Sequence, residues 1–171
     1  LYVVATPIGN LADLSLRALH VLSLVDAIAC EDTRHSGGLL RGYGLDKPLL
    51  ALHEHNEQEA AHTVIERLRA GQRVAYISDA GTPAVSDPGA RLVAAVRAEG
   101  LRTMPLPGAS SITTLLSAAG LGGDGSFVFQ GFLPSKAKER EAAVALLAAQ
   151  PRAVVLLEAP HRIEALALAL A

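Results

Sequence analysis

The sequence holds one cysteine, Cys30. An intrachain disulfide is therefore impossible, and no cysteine cluster can bind zinc. A lone thiol inside an apolar strand reads as a buried structural group in a reducing, cytoplasmic compartment. Charge of one sign is also missing. Fifteen Lys and Arg against 17 Asp and Glu leave a net charge of −2. That excludes a broad electrostatic footprint for nucleic acid, so any RNA must meet cations that are local or lie outside this stretch of chain. No run approaches the ~18–20 apolar residues of a membrane span, so no membrane partner is expected. The opening LYVVATPIGN lacks a basic segment and reads as a strand, not a signal peptide. No G-x-G-x-x-G follows the first strand, and no G-x-x-x-x-G-K-[ST] occurs anywhere. The usual dinucleotide and Walker-type phosphate readings thus lack their signatures. The chain begins without Met and stops inside the helical pattern HRIEALALALA, so both ends are expected to continue.

What is present is the composition of a globular protein, 171 residues at 50% hydrophobic. That suffices for one sizeable core, or for one domain and part of another. Short apolar runs at Leu1–Ala5, Asp26–Cys30, Leu49–Leu52, Val74–Ile77 and Arg102–Leu106 predict five strands. Helical stripes lie between them. Asp13 is expected to cap the first, whose Leu14, Ala18, Leu19 and Leu22 share a face. Asn56 and Glu59 suggest a capping box for another, which Gly71 ends. Asp87 and Pro88 suggest the start of a third, closed by Gly100. This alternation predicts an α/β fold, a parallel sheet with helices on both faces and right-handed crossovers. LGGDGS, residues 121–126, reads as a linker after a first domain of residues 1–120. Residues 127–171 read as the beginning of a second, smaller α/β domain. Its strands are predicted at Phe127–Phe129 and Ala153–Leu157, with a helix at Glu139–Ala149 between them.

The loops are unequal. Those after strands are TPIGN, EDTRHS, HEHNE, DAGTPAVSDPG and PGASS; those before strands are LSLV, GYGLDKP, RAGQ and AEG. A parallel sheet places the first group at its carboxyl edge, where ligands of open α/β sheets bind. The fourth loop, within Ile77–Gly89, exceeds the two to six residues such connections usually need, at roughly twice that length. Its small residues suit close backbone approach to a ligand. Asp79, a carboxylate on the end of a central strand, is better explained by ligand contact than as a turn cap. Glu31, Asp32 and Arg34 form either a helix cap with a local ion pair or a substrate-facing cluster in which Arg34 meets a phosphate. His53 and His55 suit a polar site rim better than a metal, because no third ligand converges on them. Ser110 and Ser111 are N-cap residue types, and capping and ligand contact explain them equally. Lys136, Lys138 and Arg140 form the one compact basic run, diluted by Glu139 and Glu141; a solvated helix start is the default reading.

Taken together, these loops resemble the tetrapyrrole-methylase-like family of S-adenosylmethionine (SAM) methyltransferases. The resemblance is carried by TPIGNLADLSLRAL (6–19), EDTRHSGGLL (31–40), HEHNE (53–57), ISDAGTPAVSDPG (77–89), PLPGASS (105–111), GFLPSK (131–136) and LEAPHR (157–162). It implies two α/β domains with SAM in the cleft between them, usually in a homodimer. By position it carries SAM contacts over to Pro7, Gly9, Asp79, Ala80, Gly81, Thr82, Pro83, Ala84, Val85, Ser110, Ser111, Glu158 and Pro160. EDTRH and HEHNE point to the branch that methylates the ribose 2′-hydroxyl of a cytidine in 16S rRNA, with free rRNA or the small ribosomal subunit as partner. Glu31, Asp32, Arg34 and His53 then belong to the substrate side. Glu31, Asp32, His53 and Asp79 are the possible acceptors of the ribose proton. Two alternatives stand beside this: a methylase of a small tetrapyrrole precursor, and a non-catalytic RNA-binding assembly factor.

Overall fold

A computed structural model describes residues 1–53, 55–86, 89–122 and 124–170. The chain separates into two compact units, Leu1–Thr114 and Leu115–Ala171. The boundary falls inside a helix, ahead of the glycine-rich 121–126.

The first unit is built on five strands: β1 (Tyr2–Val4), β2 (Ala27–Cys30), β3 (Leu49–Ala51), β4 (Val74–Ile77) and β5 (Met104–Leu106). They form one sheet in the order β3-β2-β4-β1-β5, with every pairing parallel. Five helices follow the strands in turn: α1 (Leu16–Leu24), α2 (Thr33–Gly42), α3 (Glu57–Arg69), α4 (Gly89–Ala98) and α5 (Ser111–Ala118). In that order, the connections from β1 to β2 and β2 to β3 step one way across the sheet. Those from β3 to β4 and β4 to β5 step back. A single crossover hand therefore puts α1 and α2 on one face and α3 and α4 on the other. The packing agrees. Ala18, Val21 and Leu22 of α1 and Leu40 of α2 cluster with Val4, Ile28, Cys30, Ala75 and Ile77. Ala60, Ala61, Val64 and Ile65 of α3 and Leu92 and Val96 of α4 cluster with Val3, Ala29, Val74 and Tyr76. Successive residues of β4 thus enter opposite cores, as a period of two requires. Both faces are covered, so β2 and β4 are buried along their whole length and are apolar without alternation. Each large core side chain contributes about 1.5–3 kcal/mol by leaving water.

This order also fixes where a ligand site can form. Neighbouring strands β1 and β4 send their connections in opposite directions. Their carboxyl ends therefore flank a topological switch point.

Several local expectations are corrected. Asn10, not Asp13, begins the first helical turn. Its Oδ1 accepts from the Ala12 N–H at 3.0 Å and caps a 3-10 turn, Leu11–Asp13. Leu14 is extended, so α1 starts later, capped by the Ser15 hydroxyl accepting from Ala18 N at 3.1 Å. Asn56 occupies the N-cap position of α3, yet its side chain makes no cap bond. It turns back into the loop, accepting from His53 N at 2.8 Å and donating to the Ala51 carbonyl at 2.9 Å. The capping box with Glu59 therefore does not form. The expected cap by Asp87 and Pro88 lies outside the described residues.

The second unit has two parallel strands, β6 (Phe127–Phe132) and β7 (Ala153–Leu157), joined through α6 (Ala137–Leu147). A 3-10 turn, Pro160–Arg162, and α7 (Ile163–Leu170) follow. β6 runs past the expected Phe129 through a register shift beside Gly131. α6 begins two residues ahead of the expected Glu139. Among the described residues, no helix is long and apolar enough to cross a membrane.

Candidate functional site

At the switch point, three loops from β1, β4 and β5 are fastened into one floor. The Thr6 N–H donates to the Gly81 carbonyl and the Gly81 N–H to the Thr6 carbonyl, both at 3.0 Å, an isolated antiparallel bridge. The buried Thr6 hydroxyl donates to the Ser78 carbonyl at 2.9 Å, and the buried Ser78 hydroxyl to the Gly81 carbonyl at 2.8 Å. The Thr82 hydroxyl donates to the Ala109 carbonyl at 2.9 Å and ties in the β5 loop. Each of these polar groups is satisfied within the loops, so the turn can be held without water. Close approach dictates the small residues. A Cβ on Gly108 would stand 2.7 Å from that of Ala5, and one on Gly81 would stand 3.1 Å from Ile8 Cδ1. Gly81 has φ +80°, and Ala84 is held at φ +64°. A non-glycine residue in that left-handed region stores strain of the kind concentrated at ligand sites.

The surface of this floor is what a ligand would meet. Pro7 is buried beneath it, whereas Gly9, Asp79, Ala80, Thr82 and Val85 are exposed and Ala84 half-buried. Pro83 is buried. The Asp79 carboxylate has no hydrogen-bond partner among the described residues, although the Asp79 carbonyl oxygen lies 3.2 Å from His35 Nε2. Ser110 accepts from Thr113 N at a long 3.5 Å, a weak cap for α5, and Ser111 is exposed at the helix start.

The β2 and β3 loops stand at the same edge. Asp32 caps α2, its Oδ1 accepting from Arg34 N at 2.8 Å and His35 N at 3.2 Å. The N–H groups of His35 and Arg34 hold its carboxyl below the usual aspartate range. Glu31 and Arg34 are exposed beside it. His35 links this loop to the Asp79 loop through the contact already given. The link went unread in the sequence, because 44 residues separate the two partners. The His53 ring is exposed and meets that of His55 edge-on, centroids 6.0 Å apart. No group of three His, Cys, Asp or Glu residues that could hold a metal occurs among the described residues. Below the α2 start, burial pushes the Cys30 thiol up. The Ser36 hydroxyl works the other way, and the Asp79 and Asp32 carboxylates add to the rise.

In the second unit, Glu158 directly follows β7, with its side chain 1% exposed. Its Oε1 meets Arg162 Nε at 3.0 Å and accepts from Ala159 N at 2.9 Å. Its Oε2 is buried with no hydrogen-bond partner among the described residues. Arg162 also donates to the Leu133 carbonyl at 3.0 Å, and Pro160 is exposed. Lys136 pairs with Glu139 at 3.1 Å, and Arg140 donates to the Ser135 carbonyl at 3.2 Å. Lys136 is exposed, as a solvated helix start requires, whereas Arg140 is half-buried and its Nε is buried without a hydrogen-bond partner among the described residues.

Comparison with known proteins gives two kinds of relative. Residues 1–171 match the family described as Tetrapyrrole (Corrin/Porphyrin) Methylases. The chain is 53% identical over 163 residues to the ribosomal RNA small subunit methyltransferase I of Haemophilus influenzae, covering 95% of this chain and 57% of that protein. The protein of the same name in Pseudomonas aeruginosa is 52% identical over an equal length, with 57% of it covered. The chain thus spans little more than half of these curated relatives. Among solved structures, uroporphyrin-III-C-methyltransferase from Thermus thermophilus matches with a TM-score of 0.64 and 26% identity, covering 98% of this chain and 72% of that one. Cobalt precorrin-4 methyltransferase matches with 0.69 and 17%, covering 99% and 72%; at that identity it speaks for the fold alone.

Proposed function

Because the chain belongs to the tetrapyrrole (corrin/porphyrin) methylase family, we propose that it is the catalytic part of a SAM-dependent methyltransferase acting on the ribose 2′-hydroxyl of a cytidine in 16S rRNA. The observation that carries this reading is the level of identity. It is about half with rRNA methyltransferases, against 26% with the tetrapyrrole enzyme of known structure. The same reading assigns the protein to the cytoplasm and to a homodimer.

The residues of the floor fit SAM by their chemistry. Backbone left accessible at the exposed Gly9 and the half-buried Ala84 allows close approach. The exposed Asp79 carboxylate, without a hydrogen-bond partner among the described residues, offers an acceptor and a negative charge to a cationic, hydroxyl-bearing ligand. Ala80, Thr82, Pro83, Val85, Pro7, Ser110 and Ser111 complete the proposed contacts of the first unit. When bound, SAM supplies a methyl group already activated on a sulfonium. The bonded loops would then hold their acceptors and donors in place without reorganising, the condition under which alignment lowers a barrier.

A ribose hydroxyl must lose its proton during transfer. Asp32 is spent on capping α2, and its carboxyl is held low, which suits it poorly to accept that proton. Glu31 and His53 remain on the substrate side, with Arg34 to meet a phosphate. Asp79 is kept for the donor. The test is to incubate the full-length protein with radiolabelled SAM and either naked 16S rRNA or small ribosomal subunits. Label in a cytidine ribose is the expected result. No transfer to either RNA, or transfer to a soluble tetrapyrrole instead, would overturn the reading. Asp79→Ala should weaken SAM binding by roughly tenfold, the worth of one charge-assisted hydrogen bond, measured by calorimetry.

A further inference from the structure

Among the described residues of the first unit, two ion pairs tie α3 to α4 and the residue just after it, one at each end, and they are built differently. At the end remote from the loops, Arg69 pairs with Glu99, and the side chains are 58% and 42% exposed. At the carboxyl edge, Arg91 Nη1 donates to Glu57 Oε2 at 2.8 Å; here the acidic side chain is only 8% exposed and the arginine side chain 82%. Removing a carboxylate from water is costly unless it is paired, so Glu57 needs Arg91. Arg91 does not need Glu57 in the same sense, for its own charge remains in water. The buried acid therefore acts as a fixed anchor for an exposed, planar donor group. A guanidinium has five N–H groups, and the others of Arg91 have no protein partner among the described residues. They border a polar cavity of about 430 Å³, whose lining also includes His55, Asn56, Gln58 and Glu59. Among the described residues of that lining, Glu59 is the one acid besides Glu57, and it is exposed.

We propose that Arg91, oriented by Glu57, binds a backbone phosphate of the RNA beside the nucleotide to be methylated. The inference rests on the functional reading given above. It answers a difficulty raised by composition: with a net charge of −2, RNA affinity must come from a few placed cations. Arg91 is on the first turn of α4, and His53 and His55 precede α3. In a parallel sheet both helix starts lie at the edge that holds the substrate-side loops. A guanidinium fork whose remaining donors meet no partner among the described residues suits a phosphate bidentately.

The test uses the full-length protein. Arg91→Ala should raise the KM for 16S rRNA by about tenfold, the effect of losing one charged contact. It should also make the slope of log affinity against log salt shallower by about 0.7–1, one phosphate contact's worth. Affinity for SAM and the kcat at saturating RNA should stay near wild type. Arg91→Lys should recover part of the loss. Glu57→Gln, which frees the guanidinium without removing it, should lie between. Arg69→Ala removes the other tie between the same two helices and should leave the salt slope unchanged. The inference is overturned if Arg91→Ala keeps the wild-type KM and salt slope, or if Arg69→Ala reproduces its effects, which would mark both pairs as struts. Wild-type protein that fails to methylate RNA overturns the functional reading instead. Salt-dependent binding of the same RNA still judges Arg91 in that case.

Discussion

The two edges of the five-stranded sheet use the same residue types for different ends. Where the strands begin, the contacts close elements that are near in space for topological reasons. Lys47 Nζ donates to the Ser23 and Val25 carbonyls at 2.6 and 2.9 Å, satisfying the end of α1. Asp26 accepts from Arg73 N at 2.7 Å and holds the entrances of β2 and β4 together. Gly71 there has φ +80° and open space around it, so glycine serves the turn alone. Where the strands end, Gly9 is open but Gly81, Gly89 and Gly108 are crowded. A Cβ on Gly89 would stand 1.9 Å from Tyr76 Cε1, and Tyr76 is fully buried in β4. One edge is a set of stops; the other is a packed floor on which side chains are aimed. The difference teaches that residue type alone does not reveal why a glycine or an acid stands where it does. Neighbours far along the chain decide it.

The largest expected effect comes from putting that contrast to a direct test. Gly89→Ala should destabilise the fold by about 3 kcal/mol, because neither the helix start nor the buried ring has room to yield. Gly71→Ala, which meets only an unfavourable φ, should cost about 1 kcal/mol. Denaturant midpoints compare the pair, and equal losses would erase the distinction between the edges. Next in size is Thr6→Val, which keeps the shape and removes the buried bond to the Ser78 carbonyl. It should cost about 1–2 kcal/mol and weaken SAM binding as well, since the floor it fastens is the proposed cofactor surface. Stability lost with unchanged SAM affinity would separate the floor from the ligand. The smallest effect concerns acid. The folded carboxyl of Asp32 is depressed, so its contribution is complete above its unfolded value, about 3.9. It is lost as pH falls through the lower folded value. Asp32→Asn should therefore flatten that part of the stability profile below about pH 4 and leave the profile above it parallel to wild type. An unchanged acid limb would deny Asp32 its capping role.

Local pattern made the helices and strands legible. The β2 and β4 runs are apolar throughout because both faces of the sheet are covered, and that is visible as hydrophobicity alone. The α3 stripe of Ala60, Ala61, Val64 and Ile65 is legible instead as a helical period, because only one face of that helix is covered. Caps were read less well. Asp13 and Asn56 both have the right chemistry, but Leu14 is extended beyond the one, and the other is claimed by His53 N and the Ala51 carbonyl. A residue able to cap is also able to satisfy a loop, and the choice is made by backbone that no window of sequence displays. Of the candidate site, the loops were legible as loops at one edge, since a parallel sheet leaves no other place for them. Their bonds to one another were not. Thr6 with Ser78 and Gly81, Thr82 with Ala109, His35 with Asp79 and Glu57 with Arg91 are all pairs distant in the chain.

The sequence by itself determined the class of fold, the edge at which chemistry gathers, and, through motifs in register, the family to which the chain belongs. These follow from hydrophobic period, turn chemistry and order along the chain, all of which are local quantities. Only the tertiary structure decided which loops share a floor, that Asp32 caps while Asp79 stands exposed, and that Glu57 is buried beneath an exposed Arg91. Those outcomes depend on burial and on hydrogen bonds between segments that the strand order β3-β2-β4-β1-β5 brings together. The energy of a buried charge or a crowded glycine resides in that juxtaposition.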